Sequence, residues 1–589
     1  MRNPCFDASL RLAAELARCL QGWKQVSQSR RSFLSLVGAG AGLSWSDRAW
    51  ASLSDAPDLL VLNAKVYTID AKVPRAQAFT VRNGRFVAVG SSDEIKSLAG
   101  PRTQIFDAQG ATIVPGFIDC HNHAVGEVLQ FEVLVGNPYE VEFVTIDSIV
   151  AKLKAKAATL PPETWVEGFF FDDTKVKDAR LINVHDLDRV STEHPVVVHH
   201  RGGHTSFYNS KALSMAGVTK LTPNPPGGTF DKGPDGDLNG RVTDLAAAIF
   251  SGVGKRQTFS PEEKARRARE GQAFISKQFV RYGLTSVHHE GGDLGALQDI
   301  RARGELKHRV SYEPQEQVLE AMIRSGLKTG FGDEWIKLGA TSEHLVDGSF
   351  SERTLAWSKP FPGVSPPYFG NLTETQEVLN AWIERVHRAG IDVNCHANGD
   401  VAIARVLTAV ERAQALFPRP NARPKITHCS LVNDELIARI KAAGIVPAAF
   451  STYSYYNSDK FTFYGEETLR HAMAWRSFLD AGVPVCAGSD FSPGPFSPLM
   501  AIQAMVTRKG WDGKTWGANQ RISVDEALRI NTLNGAYASH EEGAKGSITA
   551  GKLADFVVLA DDPHTIDPDK IKDIKIIRTV TGGAVTYQA

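Results

Sequence analysis

The chain has 589 residues, 42% of them hydrophobic, and its 66 basic and 66 acidic residues cancel. That length allows a large core, more than one simple barrel requires. The absence of net charge argues against nucleic acid or an anionic membrane surface as a partner, and the 51 glycines and 29 prolines are spread as turn punctuation, with no internal repeat.

Near the start, Ser29-Arg30-Arg31-Ser32-Phe33-Leu34 precedes a weakly apolar stretch from Leu36 to Leu43, and then Ala49-Trp50-Ala51, an Ala-x-Ala cleavage signal. In this order the three parts resemble a twin-arginine signal peptide over residues 1–51, which is set aside from fold reasoning. They predict the twin-arginine export machinery as a partner and a periplasmic or secreted mature chain. The apolar stretch is too short for a membrane span, so no stable span is expected in the mature chain.

Residues 52–112 read as short strands with tight turns: Asp58 to Asn63, Ala78 to Val81 and Phe86 to Val89, with Asn83-Gly84 as a hairpin signal. Residues 541–589 carry a matching set, Gly551 to Leu559, Ile576-Ile577 and Val585 to Tyr587. Two β-rich ends around an α/β centre predict one small composite β-sandwich assembled from both termini.

Within the centre, 113–540, strand candidates fall at 113–119, 284–289, 309–313, 335–342, 391–396, 425–429, 445–450 and 483–488. Helical stretches such as 373–389 and 401–416 fit between them. Eight strands predict a metal-dependent (β/α)8 TIM-type barrel, an α/β fold. The gap between the first two strands far exceeds an ordinary βα connection, so residues 124–280 are read as a large inserted cap over the C-terminal mouth.

His121 and His123 follow the apolar run that begins at Ile113. Alternation is the strand period, so both imidazoles leave on one face and can grip one metal ion. His396, His428 and Asp490 each end an apolar run of their own. His-x-His alone is weak evidence; ligands at the C-terminal ends of several strands are the layout of a metallohydrolase on a β/α barrel. Cys120, Cys395 and Cys429 adjoin these positions and, with Cys486, are read as small buried thiols; Cys5 and Cys19 lie in the N-terminal segment. His204 reads equally as a cap residue that meets substrate or as a loop histidine. His289 and Glu290 end the second strand and face the mouth if the strand count holds. The aromatic group Tyr453, Tyr455, Tyr456, Phe461, Phe463 and Tyr464 reads slightly better as packing than as a pocket wall.

At this point the residues resemble the amidohydrolase superfamily, within it the amidohydrolase family 3 branch that includes the N-substituted formamide deformylases. The likeness covers essentially all of residues 58–588. It is carried by Pro115-Gly116-Phe117-Ile118-Asp119 leading into His-x-His and by Gly546 to Leu559 with Asp555. The cap carries Gly203-His204, Asn209-Ser210-Lys211-Ala212-Leu213 and Pro226-Gly227-Gly228-Thr229, and the fifth strand leads into His396-Ala-Asn-Gly-Asp400. The resemblance implies metal ligands at His121, His123, His396, His428 and Asp490, and hydrolysis of a C–N bond. It also implies, in many members, two metals bridged by a carboxylated lysine about four residues before Asp-Gly. Here the residue four before Asp347-Gly348 is Glu343. Either Glu343 bridges directly, or Lys337 is carboxylated, or one metal is held; Glu343 is the preferred reading. His204, Asn209 and His289 are assigned as substrate contacts.

A bound divalent ion, zinc by default, lowers the pKa of water to about 7 and polarises a carbonyl. Asp490 can accept the water's proton and pass it to the departing nitrogen. The expected function is an exported, metal-dependent amidohydrolase cleaving a non-peptide amide or N-formyl bond of a small organic substrate, with one or two ions. A metal-dependent esterase or lactonase, and a non-catalytic metal- or solute-binding protein, are the alternatives.

Overall fold

Gly116 divides into two a run that reads as one strand in the sequence. In the computed structural model, which describes residues 56–589, Thr112–Pro115 pairs with Phe556–Leu559 near the other terminus, whereas Phe117–Asn122 pairs with Leu284–Glu290. The first central strand is therefore Phe117–Asn122, not 113–119. A Cβ at position 116 would stand 2.0 Å from the hydroxyl oxygen of Thr285, so only glycine permits this approach. The expected signal over 1–51, with Cys5 and Cys19, lies outside the described residues.

Two sheets form from the ends of the described chain. One contains Leu59–Leu62, Ala78–Arg82, Arg85–Gly90 and Gln104–Asp107. The other mixes the termini, in the order Ala584–Gln588, Ile576–Thr581, Phe556–Leu559, Thr112–Pro115, Lys65–Tyr67 and Arg75–Ala76. Phe79, Val81 and Phe86 of the first share an apolar cluster with Ile113, Phe556 and Val580 of the second. Phe79 stands edge-on to Phe86 and Phe556, with ring centres 5.2 and 5.0 Å apart. Asn83 and Gly84 both adopt positive φ, 50° and 73°, as a two-residue hairpin turn demands.

The centre is α/β, with parallel strands in two arcs. The first arc is Phe117–Asn122, Leu284–Glu290, Arg309–Glu313 and Ile336–Leu338. The second is His344–Leu345, Asn394–Ala397, Lys425–His428, Val446–Phe450 and Cys486–Gly488. Of the expected fourth run, 335–342, only Ile336–Leu338 forms strand; the second arc begins beyond it at His344–Leu345, and the ladder breaks between them. Thr341 fills the break: its N–H donates to the Asp392 carbonyl, and its hydroxyl accepts the N–H of Asn394. Between the first and eighth runs the pairing shrinks to one parallel bridge, Asn122 with Phe491. The expected single closed sheet is therefore replaced by two arcs meeting at these seams. Helices such as Gln376–Arg388 and Asp400–Leu416 separate the strands.

Between the first and second strands stands a six-stranded sheet, in the order Gly228–Lys232, Leu238–Asp244, Thr205–Tyr208, Val196–His200, Val166–Phe171 and Val133–Leu134. The expected insert, 124–280, includes at its end a helix that packs on the parallel strands of the centre. Pro261–Arg281 is capped by Ser260, carries Pro261 in its first turn, and packs Ile275 and Phe279 into the main core. The insert meets the C-terminal strand ends. Arg201 donates to the Ser492 carbonyl at 2.9 Å, and Lys460 Nζ sits 3.0 and 3.2 Å from Asp172 and Asp173.

Cys120, Cys395, Cys429 and Cys486 are buried free thiols, and burial pushes those of Cys395 and Cys429 up, away from the reactive thiolate. Among the described residues no helix is long and apolar enough to cross a membrane.

Candidate metal centre

Strand ends bring six side chains together. His121 Nε2 lies 3.2 Å from Asp490 Oδ1, and His123 Nε2 lies 3.0 Å from the same oxygen. On the other side, His396 Nδ1 is 3.2 Å and His428 Nε2 3.5 Å from Glu343 Oε2, with those two ring nitrogens 3.0 Å apart. Glu343 joins the halves: Oε1 is 3.7 Å from His123, and Oε2 is 3.6 Å from His121. Only His123 opens appreciably to solvent, with a third of its side chain exposed.

The local backbone aims these groups. His428 and Asp490 have φ of 71° and 52°, left-handed values for residues that carry side chains. Such strain costs about 1–3 kcal/mol per residue and gathers at functional sites. His396 Nε2 faces the Gly348 carbonyl at 3.2 Å. A proton there leaves Nδ1, the atom facing Glu343, as a lone pair. Asp347 holds the loop below, accepting the N–H groups of Ala356, Asn398 and Gly399 at 2.8–2.9 Å. Glu290 accepts the backbone N–H of Glu343 and the Ser342 hydroxyl, fixing the carboxylate that joins the halves. Phe450 stacks on His428 at 4.2 Å between ring centres.

Burial alone would raise both carboxyls. His428, His121 and His123 nevertheless hold Asp490 well below the usual carboxylate range, and His121, His396 and His428 do the same for Glu343. Burial brings His428 down to about 4 despite Asp490, whereas the carboxylates around His121 and His123 overcome burial and push both imidazoles up, the response of basic nitrogens facing a concentration of negative charge that a cation would otherwise meet.

The donor set fits a divalent cation. Both ring nitrogens of His121 are buried without a well-formed hydrogen bond, although Nε2 faces two carboxylates and Nδ1 lies 3.3 Å from Glu290. Buried polar atoms of this kind need an explanation, and neutral imidazoles with ionised carboxylates are the ligands of zinc and similar ions.

Other sequence candidates fall elsewhere. Lys337 is engaged by Glu541 at 3.0 Å, and nothing joins it to the cluster. His289 was expected to meet substrate. It points the other way, to His308 Nε2 at 2.9 Å and to Phe279, because the strand period that turns Glu290 inward turns its neighbour outward. Burial pushes His289 down to about 3. Asn209 was also assigned to substrate. It is instead the N-cap of Ser210–Met215, accepting the Ala212 N–H and donating to the Ser191 and His194 carbonyls, all inside the insert. His204 does reach the cluster, its ring centre 5.0 Å from that of His396 and its Nδ1 2.8 Å from Asp244. Tyr453, Tyr456, Phe461 and Tyr464 are buried packing groups.

Sequence reasoning missed Asp119 as a tie between strands, the buried Lys425–Glu313 pair and Glu352. For Asp119, Glu313 and Lys425 the signal was faint, an acidic or basic residue within an apolar strand; Glu352, between Ser351 and Arg353, carried none.

Residues 104–587 match the model of the amidohydrolase family. The chain belongs to that family. This amidohydrolase is 27% identical over 543 residues to the putative amidohydrolase YtcJ of Bacillus subtilis (strain 168), covering 89% of the chain and 98% of the relative. It is also 27% identical over 546 residues to the N-substituted formamide deformylase of Arthrobacter pascens, covering 90% and 98%. The fold is shared with an uncharacterized metal-dependent hydrolase from Pyrococcus horikoshii OT3, at 21% identity and a TM-score of 0.66 over 87% of this chain and 99% of that one. The amidohydrolase is accordingly a metal-dependent hydrolase of carbon–nitrogen bonds other than peptide bonds.

Proposed function

We propose that the cluster holds two divalent ions, zinc by first preference, and that the enzyme cleaves an amide or N-formyl bond of a small organic molecule. His121, His123 and Asp490 would hold one ion, His396 and His428 the other, with Glu343 bridging. The observation that carries this reading is the reach of Glu343: Oε1 lies beside His123, and Oε2 lies beside His121 as well as His396 and His428, so one carboxylate touches both sets of imidazoles. It makes a direct carboxylate bridge the simpler choice over a carboxylated Lys337.

Ions so placed supply a water made acidic at about pH 7 and a polarised carbonyl. The chain's own residues do the rest. Asp490 accepts a proton from the attacking water and delivers it to the leaving nitrogen, a role suited to a carboxylate held ionised among imidazoles. His396 keeps its orientation through the Gly348 carbonyl, and the insert shields the site through Arg201, His204 and Lys460. The formamide-cleaving activity in the name of the Arthrobacter pascens relative supports an N-formyl or related substrate. We take the two arcs as one barrel beginning at Phe117 and running to 540, the terminal sheets as a sandwich from 58–115 and 541–589, and residues 1–51 as a twin-arginine export signal that sends the enzyme to the periplasm or beyond.

The test is metal stoichiometry in Glu343→Gln. Loss of one of two ions with loss of turnover is expected. An active wild type with a single ion would remove the bridge from the account.

A further inference from the structure

His121 meets the cluster with one ring nitrogen and turns the other toward Glu290. Nε2 lies 3.2 Å from Asp490 and 3.6 Å from Glu343, whereas Nδ1 lies 3.3 Å from Glu290 Oε2. Nδ1 and that oxygen are both buried, and among the described residues neither has a well-formed hydrogen bond. A neutral imidazole can ligate through Nε2 only while its proton sits on Nδ1. The group facing Nδ1 therefore decides whether His121 can hold an ion.

Two carboxylates stand near Nδ1, those of Glu290 and Glu313. Glu313 is engaged at both oxygens. Oε1 accepts from the Lys425 ammonium and lies 3.4 Å from His288 Nδ1, and Oε2 accepts from the Asn394 amide at 3.3 Å. Lys425 also donates to the Cys120 carbonyl at 3.0 Å. A metal ion shared by His121, Glu290 and Glu313 would have to displace this buried ammonium from its partners.

Glu290, by contrast, keeps one oxygen open. Oε1 accepts the Glu343 N–H and the Ser342 hydroxyl, and Oε2 is left to His121. Strand pairing brings the two together. Leu284–Glu290 runs parallel to Phe117–Asn122 with His289 opposite Asn122, and the period that turns His289 outward turns Glu290 inward.

We propose that Glu290 is a positioning residue for the metal centre: one oxygen holds the His121 ring with its proton on Nδ1, and the other holds the backbone of Glu343. One carboxylate then sets both a ligand of the ion assigned to His121, His123 and Asp490 and the bridge to the ion assigned to His396 and His428. Both of its oxygens must accept, which a glutamine cannot reproduce, having one acceptor and one donor. With its NH2 toward His121, a glutamine favours the proton on Nε2 and removes the lone pair that binds metal. Turned the other way, it sets a donor against the Glu343 N–H. This role rests on the metal-binding reading above, and the test separates the two.

Zinc binding to the full chain is measured by competition with a chromogenic chelator in wild type, Glu290→Gln and Ser342→Ala, with circular dichroism to check folding. Glu290→Gln should keep its fold and bind zinc about 10–100-fold more weakly, the range for losing the partner of a metal-bound histidine. Ser342→Ala removes a donor from the same carboxylate without touching His121 and should weaken zinc less. Equal losses in the two variants, or wild-type affinity in Glu290→Gln, would overturn the role of Glu290. If Glu290→Gln does not fold, a crystal structure of the zinc-loaded wild type decides. Zinc should sit on His121 Nε2, with Nδ1 about 2.7–3.2 Å from Glu290. Zinc on Nδ1, or Glu290 bound directly to the metal, would overturn the assignment. A wild type that binds no divalent ion removes the metal-binding reading as well, whereas normal zinc binding in Glu290→Gln removes the role of Glu290 alone.

Discussion

The carboxylate of Asp119 accepts both the hydroxyl and the backbone N–H of Ser489, at 2.6 and 2.9 Å. It also accepts from the Asn122 side chain at 2.9 Å. One buried carboxylate therefore ties the end of the first strand, with His121 and His123, to the end of the eighth, with Asp490, at the seam where the ladder has shrunk to an isolated bridge. Asp119→Ala would leave the Ser489 hydroxyl and the Asn122 amide without their acceptor. A loss of about 1–3 kcal/mol of stability is expected, with reduced metal content and at least about a tenfold fall in kcat/KM. Denaturant unfolding and elemental analysis check this, and unchanged metal affinity would show that the seam does not position the ligands.

His396→Ala and His289→Ala should behave oppositely although both residues are buried strand-end histidines. His396→Ala should lose metal and turnover with most of the fold intact. His289→Ala should keep metal but lose about 1–3 kcal/mol, since His308 Nε2 is left without its partner. Metal analysis beside thermal unfolding distinguishes them.

Lys337→Arg should be tolerated, because the ammonium serves Glu541 rather than the cluster. Added bicarbonate should not aid metal reconstitution. Dependence on bicarbonate, with an inactive arginine variant, would restore the carboxylated lysine.

Much of this was legible in the sequence because burial writes itself locally. Runs such as Ile445 to Phe450 and Val483 to Gly488 are apolar because both faces of a central strand are covered, and a ligand at the end of a run declares itself by contrast. The inward direction of His121 and His123 follows from period two. The period also governs His289, but a two-histidine run before Glu290 does not say which member faces in until the register is known. Asn209 looked functional because a polar residue before Ser-Lys-Ala-Leu reads the same whether it binds a substrate or caps a helix. The Asp119–Ser489 tie joins residues 370 positions apart, and no local pattern announces such a contact. The same holds for Glu352, whose meaning comes from the insert folding back over it.

The seam between the insert and the parallel strands should weaken in acid. Burial would raise Asp172 and Asp173, but Lys460 and His200 hold both well below the usual carboxylate range, with Lys175 acting on Asp172 as well. Groups with depressed folded pKa values add stability fully present above their unfolded value, about 3.9, and lost as pH falls through the folded value. Hydrogen exchange in Val166–Phe171, measured relative to the free-amide rate at the same pH, should therefore be slow at neutral pH and accelerate below about pH 4. Lys460→Met should accelerate it at neutral pH too, since stripping one partner from buried charges costs about 3–5 kcal/mol. Exchange that ignores both changes would mean that Lys460 does not fasten the insert.

The central claim is that His121, His123, Glu343, His396, His428 and Asp490 hold the metal on which C–N bond cleavage depends. It is tested most directly by elemental analysis of the purified enzyme alongside turnover of an amide and N-formyl panel, before and after chelation and in His428→Ala. The account predicts two equivalents of divalent metal, zinc foremost. Turnover should vanish on chelation and return with added metal, and His428→Ala should keep its fold but neither its full metal nor its activity. Full turnover by metal-free protein, or full metal and normal turnover in His428→Ala, would contradict it.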